Sequence, residues 1–129
     1  YASHGETYEH PDNILWWSKG GSLYGDSPER LAFLLKIMKE APENGLMPFH
    51  NEWNKQTYLY KGEEFFLHYY GNSQQATANF NLPENQKYTI EVIDTWEMTI
   101  KKIEGTCSGK TSISLPQKPY MAVRIELIK

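Results

Sequence analysis

Cysteine is nearly absent from this 129-residue chain. Cys107 stands alone, which excludes a disulfide framework and any Cys-based zinc spacing, and fits a reducing compartment and an exported bacterial enzyme equally well. Long apolar runs are missing too: no stretch approaches the ~18–20 residues that a membrane-crossing helix needs, so no membrane partner is expected. The four histidines (His4, His10, His50 and His68) show no H-x-x-x-H or comparable pairing, and no metal site is expected from them. There is no G-x-S-x-G elbow, no phosphate-binding P-loop and no G-x-G-x-x-G, so nothing points to a hydrolase nucleophile, a nucleotide or any cofactor. Charge of one sign is also scarce. The net charge of −3 and pI near 5.8 leave no electrostatic footprint for nucleic acid. Residues 1–56 carry five basic and eight acidic groups and residues 57–129 eight of each, so the rear is neutral and the front mildly acidic.

Aromatics, by contrast, are abundant, at 14% with nine Tyr and four Trp. A chain of this length buries ~70% of its unfolded surface and so supports one domain with a real core. Residues 1–26 read as irregular and dense in Gly, Pro, Asp and aromatics. Within them His10-Pro11-Asp12-Asn13 opens a short helical turn through Ile14-Leu15-Trp16-Trp17, closed by Gly20-Gly21. A helix is expected over 28–41. Ser27 is a good N-cap, Pro28 suits the first helical position and Glu29 favours the positive end of the dipole. Leu31, Leu34, Leu35 and Met38 recur at helical spacing, Ala32, Phe33 and Ile37 widen the stripe, and Pro42 ends it. So wide a stripe calls for burial on more than one side. Residues 42–56 read as a connecting loop, anchored by Leu46, Met47, Phe49 and Trp53.

From Thr57 the period changes to two. Strands are expected at 57–61, 64–70, 76–82, 87–94, 96–103, 111–115 and 120–128, separated by Gly-, Pro- and Asn-bearing turns. Seven short strands with no helix between them predict a mainly β fold, an antiparallel immunoglobulin-like or Greek-key sandwich behind one helix and an irregular front. An unbroken strand through Tyr88–Ile100 would span ~43 Å at ~3.3 Å per residue, too long for a small sandwich, and would aim Asp94 at the core. The chain is therefore expected to turn at Asp94-Thr95-Trp96, with the Asp carboxylate accepting from nearby backbone N–H groups. In the last strand Met121, Val123, Ile125 and Leu127 should face inward, and Arg124 and Glu126 outward.

Candidate chemistry has a bland reading beside each sharp one. His4-Gly5-Glu6 can supply acid, base or substrate hydrogen bonds, or be loop residues. Trp16-Trp17 can offer a stacking face for a sugar ring, but neighbours on a helical turn point about 100° apart, so at most one faces a cleft. The strand aromatics Tyr58, Tyr60, Phe65, Phe66, Tyr69, Tyr70 and Trp96 suit either a sugar-binding face or core packing. Cys107, in a turn beside Ser108-Gly109, reads as incidental.

The front string His4-Gly5-Glu6-Thr7-Tyr8, His10 through Gly21, and Leu23-Tyr24-Gly25-Asp26-Ser27-Pro28-Glu29-Arg30 resembles the end of the catalytic TIM barrel in bacterial apiosidase-like glycoside hydrolases. Ile93-Asp94-Thr95-Trp96-Glu97-Met98-Thr99, Leu115-Pro116 and Pro119 through Arg124 resemble the C-terminal β-sandwich domain of unknown function that follows that barrel. The resemblance implies a larger enzyme of which this chain is the last slice, with both catalytic carboxylates upstream of Tyr1. Residues 1–56 would be the barrel's closing loop, last helix and linker, and residues 57–129 the sandwich. His4, Glu6, Trp16 and Trp17 would touch substrate at the catalytic face. The chain itself is then expected to be a non-catalytic accessory domain whose partner is the parent's barrel. An autonomous carbohydrate-binding module is the alternative. A small self-sufficient enzyme is a third reading, but it needs two carboxyls ~5–9.5 Å apart, and nothing rigid holds Glu6 and Glu9 in such a pair. If the barrel is absent, Trp16, Trp17, Leu31 and Leu34 should be partly exposed and weak self-association should follow.

Overall fold

A computed structural model describes residues 8–9, 12, 22–23, 27–43, 45–52 and 56–129. Its elements are β1 (Tyr8–Glu9), β2 (Ser22–Leu23), α1 (Ser27–Lys39), β3 (Met47–Asn51), β4 (Gln56–Lys61), β5 (Phe65–Tyr69), β6 (Thr77–Asn81), β7 (Tyr88–Asp94), β8 (Thr99–Lys102), β9 (Lys110–Ser114) and β10 (Met121–Leu127). The fold is mainly β. A six-stranded antiparallel sheet in the order β3-β4-β5-β10-β7-β8 is faced by the two-stranded ribbon β6-β9, forming a sandwich. β10 returns from the ribbon to lie between β5 and β7, which places the chain's last strand at the middle of the sheet.

The period-two pattern explains the core. On the ribbon side of the sheet Tyr88, Ile90 and Val92 of β7 meet Met121, Val123 and Ile125 of β10. Ala78, Phe80, Leu82, Ile113 and Leu115 close over them from the ribbon, and all of these are buried. The opposite side carries the alternate residues Phe65, Leu67, Ile93 and Ala122, with Ile37 of α1 packed on them. The molecule thus has three layers: helix, broad sheet and ribbon.

Three expectations change. Residues 42–56 are not simply a loop, since β3 adds an edge strand to the sheet, pairing Met47–Asn51 with β4. Pro48 is tolerated there because an edge strand has one unpaired side. The front is not wholly irregular either: β1 and β2 form a short antiparallel ladder, Tyr8 opposite Leu23 and Glu9 opposite Ser22. The helical turn expected around Ile14 to Trp17 lies outside the described residues. Finally, Arg124 is on the outward face as expected but is only 6% exposed, because α1 and its C-terminal turn cover that face.

The break after Asp94 takes the form of a hairpin. β7 ends at Asp94, residues 95–98 turn, and β8 pairs back with Asp94 opposite Thr99, so the chain folds within one sheet rather than crossing to the other. Asp94 Oδ1 accepts from the backbone N–H of Trp96 at 3.1 Å and of Glu97 at 3.0 Å, and Oδ2 faces Lys118 Nζ at 3.4 Å. The carboxylate thus does the turn-forming work expected of it.

Candidate binding surface

The surface that merits a functional reading lies on the helix side of the sheet. α1 is fastened there at both ends by an arginine. At its N-terminal end, Arg30 Nη1 donates to the Trp96 carbonyl at 2.7 Å, and the guanidinium lies over the indole, 4.1 Å from the ring centroid. Both contacts tie the first helical turn to the β7-β8 hairpin. Just past its C-terminal end, Glu40 accepts from Arg124 Nη1 at 2.7 Å. Arg124 also donates to Glu91 from Nε at 2.8 Å and from Nη2, while Glu126 Oε1 stands 3.5 Å from Nε. Burial alone would push the guanidinium's pKa down, but the bonds from Glu40 and Glu91 outweigh it and leave the pKa raised. Arg124 is a buried cation held by three carboxylates, joining residues 84 positions apart.

Between these fastenings α1 and the sheet leave a groove of about 610 Å3, lined by Leu31, Leu34, Met38, Leu67, Tyr69 and Trp96 among others. Ile37 is the only buried residue of α1, whereas Leu34, Leu35 and Met38 are 46%, 53% and 40% exposed. At one end of the groove stands an aromatic group. Trp96 and Tyr120 stack with centroids 5.6 Å apart and planes inclined by 26°, and Tyr69 projects from the neighbouring strand. The three are 56%, 37% and 55% exposed respectively.

The other strand aromatics divide clearly. Tyr58, Phe65 and Tyr70 are buried, and Phe66 and Tyr60 half-buried, the last two rings 5.2 Å apart in a row that continues to Phe49 at 4.8 Å. His68 is buried between Tyr58 and Tyr70, with ring centroids 5.0 and 4.3 Å away. Among the described residues the Tyr70 hydroxyl has no hydrogen-bond partner, and burial, then Tyr58, push its pKa well up. Burial likewise raises the Cys107 thiol pKa, against weaker hydrogen-bond effects, and leaves it a poor nucleophile. No group of three or more His, Cys, Asp or Glu able to hold a metal occurs among the described residues, and no helix among them is long and apolar enough to cross a membrane.

The four residues singled out in the front segment (His4, Glu6, Trp16 and Trp17) lie outside the described residues. Of the candidate strand aromatics, the structure brings Tyr69 and Trp96 to one place at the surface. Tyr120, which sequence reasoning passed over, completes the group. Its signal was available in Pro119-Tyr120: an aromatic just before a strand, at the same sheet end as the Asp94 turn.

Known proteins resemble this architecture. Residues 53–126 match the family described as Domain of unknown function (DUF5605), and the chain belongs to that family. A solved structure described as "a putative glycoside hydrolase from Bacteroides vulgatus" shares the fold with a TM-score of 0.68 at 22% identity. The match covers 94% of this chain and 28% of that one. The chain therefore spans little more than a quarter of that protein's length. No curated protein matches.

Proposed function

We propose that this chain is a non-catalytic accessory part of a bacterial glycoside hydrolase. In this reading the segment before β3 is the end of a catalytic TIM barrel of the apiosidase-like kind, and the β-sandwich that follows it begins at β3 rather than at residue 57. The observation that carries the reading is coverage: nearly the whole chain has its counterpart in a small share of a much longer protein described as "a putative glycoside hydrolase". Leu35 of α1, 53% exposed and outside the groove lining, supports it, since a helix closing a barrel needs apolar surface on the side away from the sandwich. The barrel of the same parent chain is then the partner, and the sandwich stabilises and flanks it.

Catalysis is assigned upstream, and the chain alone is inactive. Aryl-glycosides and oligosaccharides incubated with it should show no turnover. Turnover that disappears in Glu6→Gln would overturn the reading in favour of a small self-sufficient enzyme. In the longer enzyme His4, Glu6 and one of Trp16 or Trp17 line the cleft and bind sugar hydroxyls or a ring face. There Glu6→Gln should lower kcat/KM about tenfold with unchanged melting temperature, the loss expected for one substrate hydrogen bond to a charged group. An undiminished kcat/KM would leave the segment a structural role only.

A second reading, an autonomous carbohydrate-binding module, is favoured by one specific observation: the exposed Tyr69, Trp96 and Tyr120 gathered at one end of the sheet. Accessory and binding roles are compatible on one domain.

A further inference from the structure

We propose that Tyr69 and Tyr120, backed by Trp96 and Arg30, form a carbohydrate-binding subsite at the end of the α1 groove. This rests on the second reading above and gives it residues.

The placement comes first. β5, β10 and β7 are adjacent strands, and Tyr69, Tyr120 and Trp96 sit at the same end of them. Tyr69 is opposite Ala122, and Met121, the residue after Tyr120, is opposite Asp94. At ~4.8 Å per strand the row extends about 10 Å, long enough for more than one sugar ring. All three side chains are exposed although apolar partners were available in the groove beside them.

The second observation is independent of exposure. Tyr120 is held at φ 64°, in the left-handed region that a bulky residue adopts only at a cost in free energy. Its backbone is fixed from both sides: its N–H donates to the Gly71 carbonyl, and its own carbonyl accepts from the Thr95 N–H at 3.2 Å and the Thr95 hydroxyl at 2.6 Å. Lys118, two residues earlier, is tied to Asp94. Gly would suit that dihedral without strain, and a half-exposed Tyr ring gives the core little in return. The surrounding bonds therefore maintain an aromatic ring in one orientation at the surface.

The third is the stack itself. The Trp96 indole carries both the Arg30 guanidinium and the Tyr120 ring, so the aromatic surface is ordered before any ligand arrives. An ordered aromatic face with phenolic hydroxyls at its edge suits a sugar ring. The C–H face of the ring packs on the aromatic carbons, and its hydroxyls exchange hydrogen bonds with Tyr69 Oη, Tyr120 Oη and water. The purely aliphatic stretch of the groove, at Leu31, Leu34 and Leu67, lacks the hydrogen-bonding groups a sugar requires.

The test is calorimetric titration of the chain with soluble xylan, mixed-linkage β-glucan and galactomannan, repeated on Tyr69→Ala, Tyr120→Gly and Phe49→Ala. Phe49 is an exposed aromatic outside the row and serves as the control. Binding of at least one polysaccharide is expected, weakened about tenfold or more in Tyr69→Ala and Tyr120→Gly and unchanged in Phe49→Ala, with melting temperatures preserved. Wild-type binding that survives both Tyr substitutions would overturn this subsite while leaving the carbohydrate-binding reading in place. No binding of any of the three polysaccharides would overturn both.

Discussion

The two faces of the six-stranded sheet are covered in different ways. On the ribbon face, Tyr88, Ile90, Val92, Met121, Val123 and Ile125 interlock with β6 and β9 in a continuous apolar layer, with Ile125 and Tyr88 fully excluded from water. On the helix face, one helical residue, Ile37, is buried, against Phe65, Leu67, Ile93 and Ala122, and Arg30 and Arg124 fasten α1 at its ends with a groove between. One face is held by packing, which is dense and non-directional; the other by a smaller apolar cluster supplemented by a few directional polar contacts. The first makes a core that needs no partner. The second leaves apolar surface available to one, which is where both functional readings place their contacts.

If this contrast is right, substitutions should separate by face. Ile125→Ala removes a fully buried side chain from the packed layer and should cost about 4 kcal/mol, the largest single effect, read from the denaturation midpoint. Arg124→Ala on the other face should cost about 3 kcal/mol, the low end for breaking a buried ion pair, because the side chains of Glu40 and Glu91 are 39% and 25% exposed and regain water readily. A loss for Arg124 as large as that for Ile125 would erase the distinction between the faces. Asp94→Ala frees two backbone donors at the hairpin and should cost about 1 kcal/mol, since water reaches both.

Tyr70→Phe should act in the opposite direction. It deletes a buried hydroxyl with no partner among the described residues and should gain about 1 kcal/mol. Its pH signature has a definite sign. Burial, then Tyr58, raise the folded pKa of Tyr70 above the ordinary 10.0, so the unfolded chain loses this proton first. The associated stability is complete below pH 10.0 and declines above it, and burial shifts Tyr60 and Tyr88 the same way. Urea midpoints measured across that range should fall less steeply in Tyr70→Phe than in wild type.

How much of this was legible in the sequence follows from the same contrast. Period-two alternation located the seven strands behind Thr57 because each reports a local face, and Ser27-Pro28-Glu29 marked the start of α1 through local capping chemistry. β3 escaped because Pro48 and its Gly and Asn surroundings read as a loop; only pairing with β4 makes an edge strand of it. Arg124 was read as solvent-facing because alternation gives the side of the sheet and not what covers it. Its partner Glu40 is 84 residues away, beyond any local pattern. One clue was present: Phe65 through Tyr70 is a continuous apolar and aromatic run, the mark of a strand covered on both faces. The binding surface was half visible. Tyr69 and Trp96 were among the candidate aromatics, but their meeting with Tyr120 depends on the β5-β10-β7 strand order.

The difference between the two faces is tested most directly by native-state hydrogen exchange, resolved by residue, in wild type and in Arg124→Ala. Amides of β7 and β10 should exchange only through global unfolding, while those of α1 open at a lower free energy, and Arg124→Ala should lower α1 protection more than the global value. Protection of α1 equal to that of β10, falling in step with it in the variant, would contradict the account and make helix and sandwich a single cooperative core.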